Sequence, residues 1–144
     1  MPSVFDVAKY IVQKRGTMTS MKLQKLVYYA QAWSLVWDEA PVFSEKIEAW
    51  ANGPVVPPLF KALQGLYNVN TRSIHLGNPN ALTPEQMDTI DRVLEFYGTK
   101  SPQWLSDLTH IEDPWRNARV GLAPNARSNR EITHAAMADY YSSL

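Results

Sequence analysis

The stretch "KLQKLVYYAQAWSLVW", residues 22–37, decides how this chain folds. Leu23, Leu26, Val27, Ala30, Trp33, Ser34 and Trp37 recur at the three- and four-residue spacing of one helical stripe, which assigns them to a core. Tyr28, Tyr29, Leu35 and Val36 lie off that stripe, and Lys22, Lys25 and Gln31 give little polar relief. A helix apolar over most of its girth is either buried on several sides or waits for a partner. The spacing therefore predicts a central helix with the rest of the chain arranged around it.

On its N-terminal side, Ser3 with Asp6 three residues later predicts a capped helix carrying Val4, Val7, Ala8, Ile11 and Val12 and ending at Gly16. Thr19 or Ser20 caps the central helix. Pro41 ends it near Asp38 to Pro41, because proline disfavours helix at the residue before it. The segment "EKIEAWANGPVVPP" then alternates, with Ile47 and Ala49 on one face and Glu48 and Trp50 on the other, before a Gly53-Pro54 turn. It reads as a short strand. Pro57 and Pro58 fit only the first turn of a third helix, expected to reach about Leu66. "TRSIHL" at 71–76 is a second strand candidate, expected to pair with residues 45–50 as a two-stranded ribbon.

Further on, Thr83, Pro84 and Gln86 predict a capping box that opens a helix with Met87, Ile90, Val93, Leu94 and Tyr97 on its apolar side and Gly98 at its end. Ser101-Pro102 and Asp113-Pro114 repeat the cap-then-proline signature, for helices near 102–110 and 114–120. "GLAPNARSNRE" is polar loop, and Thr133 caps a last helix with Met137, Tyr140 and Tyr141. The expected fold is mainly α: one compact domain over residues 1–144, with about six or seven helices and at most a small two-stranded β ribbon.

Composition narrows the function classes. The chain has 144 residues, 45% of them hydrophobic, enough for one domain with a real core. It has no cysteine, which excludes disulfides, thiolate metal sites and a thiol nucleophile and fits a reducing, cytoplasmic setting. No continuous apolar run resembles a signal peptide or approaches the roughly 20 residues that span a bilayer. A formal net charge of zero predicts no bulk attraction to nucleic acid or anionic membrane. Charge is nonetheless unevenly spread. Lys9, Lys14, Arg15, Lys22 and Lys25 face only Asp6 in the first 37 residues, whereas residues 83–113 are acidic, a pattern of complementary solvated faces.

Catalytic signatures are sparse. His75, His110 and His134 stand far apart, and none lies in a frame that puts two metal ligands on one helical face. Asp88, Asp91 and Glu95 share a helical face, but without a histidine or a glycine-bent loop they read as solvated. "HIED" at 110–113 reads first as a helix C-terminus, where histidine is favoured by the dipole. No phosphate-binding glycine loop and no G-x-S-x-G elbow occurs. The expectation is a protein without enzymatic activity, cofactor or metal. An uncharacterised hydrolase using Asp88, Asp91 and His110 is the weaker alternative.

Three elements together carry a resemblance. "MKLQKLVYYAQAW" at 21–33, "PVFSEKIEAWANGPVVPPLFKAL" at 41–63, and a late Trp115 with a closing Tyr140-Tyr141 pair resemble the Panacea domain family, the SocA-like antitoxins, also known as phage-associated proteins. Lys22, Leu23, Gln24, Lys25, Leu26, Tyr28 and Tyr29 match the opening motif, and Ala49, Trp50, Gly53, Pro54 and Val55 match the "AW-x-x-GP-V" signature. The resemblance implies a mostly helical antitoxin that binds and neutralises a co-encoded toxin. In the SocA branch it implies an adaptor that delivers the toxin to an AAA+ protease. Toxins paired with the family are diverse and include translation inhibitors and nucleotide-modifying enzymes.

Aromatic-rich composition without a catalytic constellation suits a protein-binding module, since tyrosine, tryptophan and arginine dominate interface hot spots. The candidate toxin-binding or motif residues are Lys22, Gln24, Lys25, Tyr28, Tyr29, Trp50, Asn52, Gly53 and Pro54. Lys22, Lys25 and one of Tyr28 or Tyr29 are expected to face outward or frame the recognition surface, so that Lys25→Glu or Tyr29→Ala weakens binding and spares the fold. A purely structural role for all the aromatics, and for the Trp50–Pro54 turn, is the competing reading. Expected partners are the toxin, a protease in the SocA case, and a second copy of the chain if its aromatics are exposed; no nucleic acid is expected.

Overall fold

The computed structural model describes residues 1–144. Helix α1 (Val4–Arg15) opens with the expected reciprocal cap: Ser3 Oγ accepts from the Asp6 amide at 3.3 Å, and the Asp6 carboxylate accepts from the Ser3 amide at 2.8 Å. Strand β1 (Met18–Thr19) leads into α2 (Ser20–Trp37), capped by Thr19 and ending at Asp38. Strands β2 (Ile47–Trp50) and β3 (Gly53–Val55) precede α3 (Pro57–Ala62) and β4 (Asn68–Val69). Helices α4 (Pro84–Tyr97), α5 (Pro102–Ile111) and α6 (Asp113–Ala118) follow, and β5 (Glu131–Ile132) runs into α7 (His134–Ser142).

Helix α2 is the axis of the molecule. It touches α1, α3, α4, α5, α7, β1 and β3, so every residue from Leu23 to Ala32 is buried. This is the consequence of a helix apolar on all sides: each face needs a neighbour, and the shorter elements supply them. Two polar side chains inside that sheath each grip an extended segment. Gln24 accepts from the Val56 amide at 2.9 Å and donates to the Val56 carbonyl at 3.4 Å. One heptad on, Gln31 accepts from the Val42 amide at 2.8 Å and donates to the Phe43 carbonyl at 2.9 Å. Buried amides satisfied this way cost little and hold the chain before and after β2 against the helix.

Three expectations need correction. Trp37, placed in the core by spacing, is 43% exposed, and Trp33 is half-buried. The last turn of α2 emerges from its sheath there, and the two indoles stack on each other at 4.9 Å. Residues 71–76 form no strand: Thr71–Ser73 is a short 3₁₀ turn capped by Asn70, whose side chain accepts from the Arg72 and Ser73 amides. Local capping outcompetes the β-branched alternation that suggested a strand. Helix α3 ends at Ala62, short of Leu66.

Consequently β2 pairs elsewhere. It forms an antiparallel hairpin with β3 across Ala51 and Asn52, with Trp50 opposite Gly53, and its other edge pairs with β5, with Ile47 opposite Ile132. A separate two-stranded ribbon joins β1 to β4. The fold is mainly α, seven helices with this minor β component, as expected in class.

Candidate functional site

Six of the motif residues, Gln24, Lys25, Trp50, Asn52, Gly53 and Pro54, meet at the β2–β3 hairpin. Gly53 adopts φ +122°, a backbone conformation that glycine alone adopts readily. An atom at the Cβ position of Gly53 would lie 2.6 Å from Lys25 Cε and 3.2 Å from Thr109 Oγ1. The absent side chain is therefore the space in which the lysine stem lies. Lys25 Nζ donates to the Pro54 carbonyl at 3.3 Å, beside the Gln24 grip on Val56. The signature tryptophan, Trp50, donates from Nε1 to Glu48 Oε1 at 2.9 Å and meets Phe60 edge-on at 4.9 Å. Its carbonyl accepts from Trp115 Nε1 at 2.8 Å, which gives the late tryptophan its role. Asn52 is exposed at the hairpin tip, and its carbonyl accepts from Ser106 Oγ at 3.0 Å.

The tyrosines of the opening motif go elsewhere. Tyr29 Oη donates to Glu112 Oε1 at 2.6 Å and Tyr141 Oη donates to the same oxygen at 2.8 Å. Tyr28 and Tyr141 hydroxyls are 3.0 Å apart, and Tyr29 stacks on Tyr97 at 4.0 Å, with the Tyr97 hydroxyl accepting from Trp33 Nε1. Glu112 is 5% exposed and has no basic partner. Burial raises its carboxyl above the usual range, while the bonds from Tyr29 and Tyr141 pull it back down. Burial also raises Tyr28, Tyr29 and Tyr141, and brings Tyr97 to about 12.

The outward placement of Lys25 and of one of Tyr28 or Tyr29 is thus corrected: Lys25, Tyr28 and Tyr29 are 2%, 1% and 0% exposed. Only Lys22 lies part-way out, its ammonium disfavoured by burial and by the charge of Arg15. One of the tyrosines was placed outward because both lie off the main apolar stripe of α2, yet each is buried and each hydroxyl has a partner inside the protein. Burial takes Lys25 down to about 8.

Beside the hairpin lies a concavity of about 960 Å³, floored by Gln24 and Lys25 and walled by Glu48, Trp50 and Asn52. Met21, Phe60 and Leu66 form an exposed apolar rim, and Arg127, Ser128 and Asn129 close the far side. That far side is positioned by Arg119, a buried guanidinium that donates to the carbonyls of Ala49, Ala123, Pro124 and Ala126 and so fixes the 121–131 loop over β2. Nothing in the local sequence marks Glu112, whose partners lie 29 and 83 residues away, or the bond from Arg119 to Ala49, 70 residues away. Gln31 did carry a signal, its seven-residue spacing from Gln24 on the same helix.

The residues of the hydrolase alternative do not assemble. Asp91 accepts from Tyr10 Oη at 2.8 Å and lies 3.9 Å from Lys14 Nζ, and Asp88 pairs with Arg92 at 3.5 Å on the exposed face of α4. His110 stands between the carbonyls of Ser106 and Ala51.

The family model for the SocA-like antitoxin, Panacea domain, matches residues 23–116, well over half of the chain, from the first turn of α2 to just past Trp115. The chain belongs to the SocA-like Panacea family. Neither a curated protein nor a solved structure matches it significantly. Membership gives the Panacea motif residues a physical meaning here: Gln24, Lys25, Gly53 and Pro54 join α2 to the hairpin, and Trp50 is tied to Trp115. It also supports an antitoxin-type role. No helix is long and apolar enough to cross a membrane.

Proposed function

We propose that this chain is the antitoxin of a bacterial toxin–antitoxin system and neutralises a co-encoded toxin by direct binding in the cytoplasm, without catalysis of its own. The family match carries this reading. A helical body that presents an open cleft with an exposed apolar rim is the kind of surface a stable protein partner uses.

Co-expression with the adjacent open reading frame tests it, with growth and co-purification scored together. Toxicity of the neighbour alone, rescue by this chain and recovery of a stable complex are the expected result. Rescue with no recoverable complex, and a toxin half-life that shortens only when an AAA+ protease is present, would replace neutralisation by binding with the adaptor role. A non-toxic neighbour would overturn both.

A further inference from the structure

Lys25 is a buried cation with no counterion. Its only acceptor is the Pro54 carbonyl at 3.3 Å, and neither of the two ion pairs in the protein includes it. An ammonium taken out of water without a carboxylate is costly, and a methionine in its place would pack the same space without that cost. The single bond to Pro54 that ties the amine to the hairpin offsets only part of that cost, so the fold alone does not account for the charge. Lys25 lines the cleft, whose single carboxylate, Glu48, is engaged by the Trp50 indole, while exposed Arg127 adds a second unpaired cation at the rim. The cleft thus joins an apolar rim to an excess of positive charge, in a protein whose net charge is zero.

We infer that this cleft is the toxin-docking surface and that it takes an aromatic or aliphatic side chain of the toxin flanked by an aspartate or glutamate carboxylate. The inference rests on the antitoxin reading. The carboxylate accepts from Lys25 at the floor, the apolar side chain packs among Met21, Trp50, Phe60 and Leu66, and Arg127 steers the approach.

The test is the affinity of the full chain for the purified neighbour-encoded toxin by calorimetry, for wild type, Lys25→Met and Arg127→Gln. Lys25→Met is expected to keep or raise the melting temperature and to weaken binding roughly 10- to 100-fold, as loss of a charged hydrogen bond does. Arg127→Gln is expected to weaken it about threefold, with a reduced salt dependence. Unchanged binding by Lys25→Met overturns the inference and leaves the antitoxin reading standing. A toxin-free dimer that Lys25→Met splits also overturns it, since the cleft then serves a second copy. If Lys25→Met does not fold, Arg127→Gln and Phe60→Ala, both at exposed rim positions, decide in the same way.

If the wild type binds no toxin, the antitoxin reading fails and phenylacetate, a ring with one carboxylate, becomes the probe. Amide and indole shifts confined to the cleft and absent in Lys25→Met would support an apolar-acid site. No shift in the wild type would overturn it.

Discussion

Gly53 and Lys25 occupy one space between them, the Cβ position of the first lying 2.6 Å from Cε of the second. The glycine is doubly required, since its φ of +122° is also strained for any side chain. Gly53→Ala is expected to cost about 2 kcal/mol or more in urea unfolding. Because Lys25 is enclosed, its stem cannot swing into water to make room. Adding Lys25→Ala should therefore cost less in the Gly53→Ala background than in the wild type. Strict additivity in that double-mutant cycle would show that the backbone conformation, not the shared space, sets the requirement.

The buried carboxylate predicts a pH dependence. Burial holds the Glu112 carboxyl in the folded protein above its unfolded value of 4.5. Between those two values the folded state binds more protons, so the Glu112 contribution is present in full below 4.5 and is lost as pH rises through the raised value. Glu112→Gln keeps an oxygen that can accept from both tyrosines and abolishes the titration. Urea unfolding from about pH 4 to about pH 8 should show the wild type losing stability relative to Glu112→Gln. Parallel curves would mean that Glu112 is solvated in the folded state.

Tyr29→Ala, expected from sequence to weaken binding and spare the fold, becomes a core deletion. It removes a fully buried ring stacked on Tyr97 and one of the two donors to Glu112. The expected cost is about 3 to 5 kcal/mol. Tyr29→Phe keeps the ring and loses only the hydroxyl, for about 1 to 3 kcal/mol. Chemical denaturation of both variants separates packing from hydrogen bonding, and equal losses would refute that division. Any failure of toxin rescue by Tyr29→Ala must then be read as loss of folded protein.

The helices were legible because their signals are local. Ser3 with Asp6 and Thr83 with Gln86 are capping boxes within four residues, and both form as expected. Pairing of β2 with β5 was not legible, since β5 lies far along the chain and offers only two residues, Glu131 and Ile132. The site divides in the same manner. Gln24, Lys25, Trp50 and Gly53 were visible as a motif, but their convergence depends on α2 and the hairpin packing together. That Tyr28 and Tyr29 lie inside followed from Glu112 and Tyr141, which only the fold brings to them.

Lys25 predicts a pH dependence in the opposite direction to Glu112. Burial lowers its folded value to about 8 against 10.5 unfolded, so between these the unfolded chain binds more protons and stability rises with pH. Below about 8 the penalty is constant. Lys25→Met lacks the slope, so the wild type should gain on it by up to about 3 kcal/mol between about pH 8 and about pH 10. Buried tyrosines reverse the trend above about pH 10, but they do so in both proteins and cancel in the difference. A flat difference would place the amine in water.

Arg119 predicts a local loss in place of a global one. Its guanidinium holds Ala49 of β2 and three carbonyls of the 121–131 loop, and its ring neighbour Trp115 lies 5.3 Å away. Arg119→Lys keeps the charge, but a single ammonium cannot reach four carbonyls in the planar arrangement of the guanidinium. The loop should then open while the α2 core stays closed, because the contacts of α2 do not run through Arg119. Hydrogen exchange should accelerate at Ala49, whose amide donates to the Arg130 carbonyl, and remain slow at the α2 amides. Limited proteolysis should cut first within residues 121–131. The same opening withdraws Arg127, Ser128 and Asn129 from the cleft, so toxin affinity should fall several-fold with little change in melting temperature. Equal acceleration of exchange in α2 and in the loop would instead make Arg119 part of the global fold.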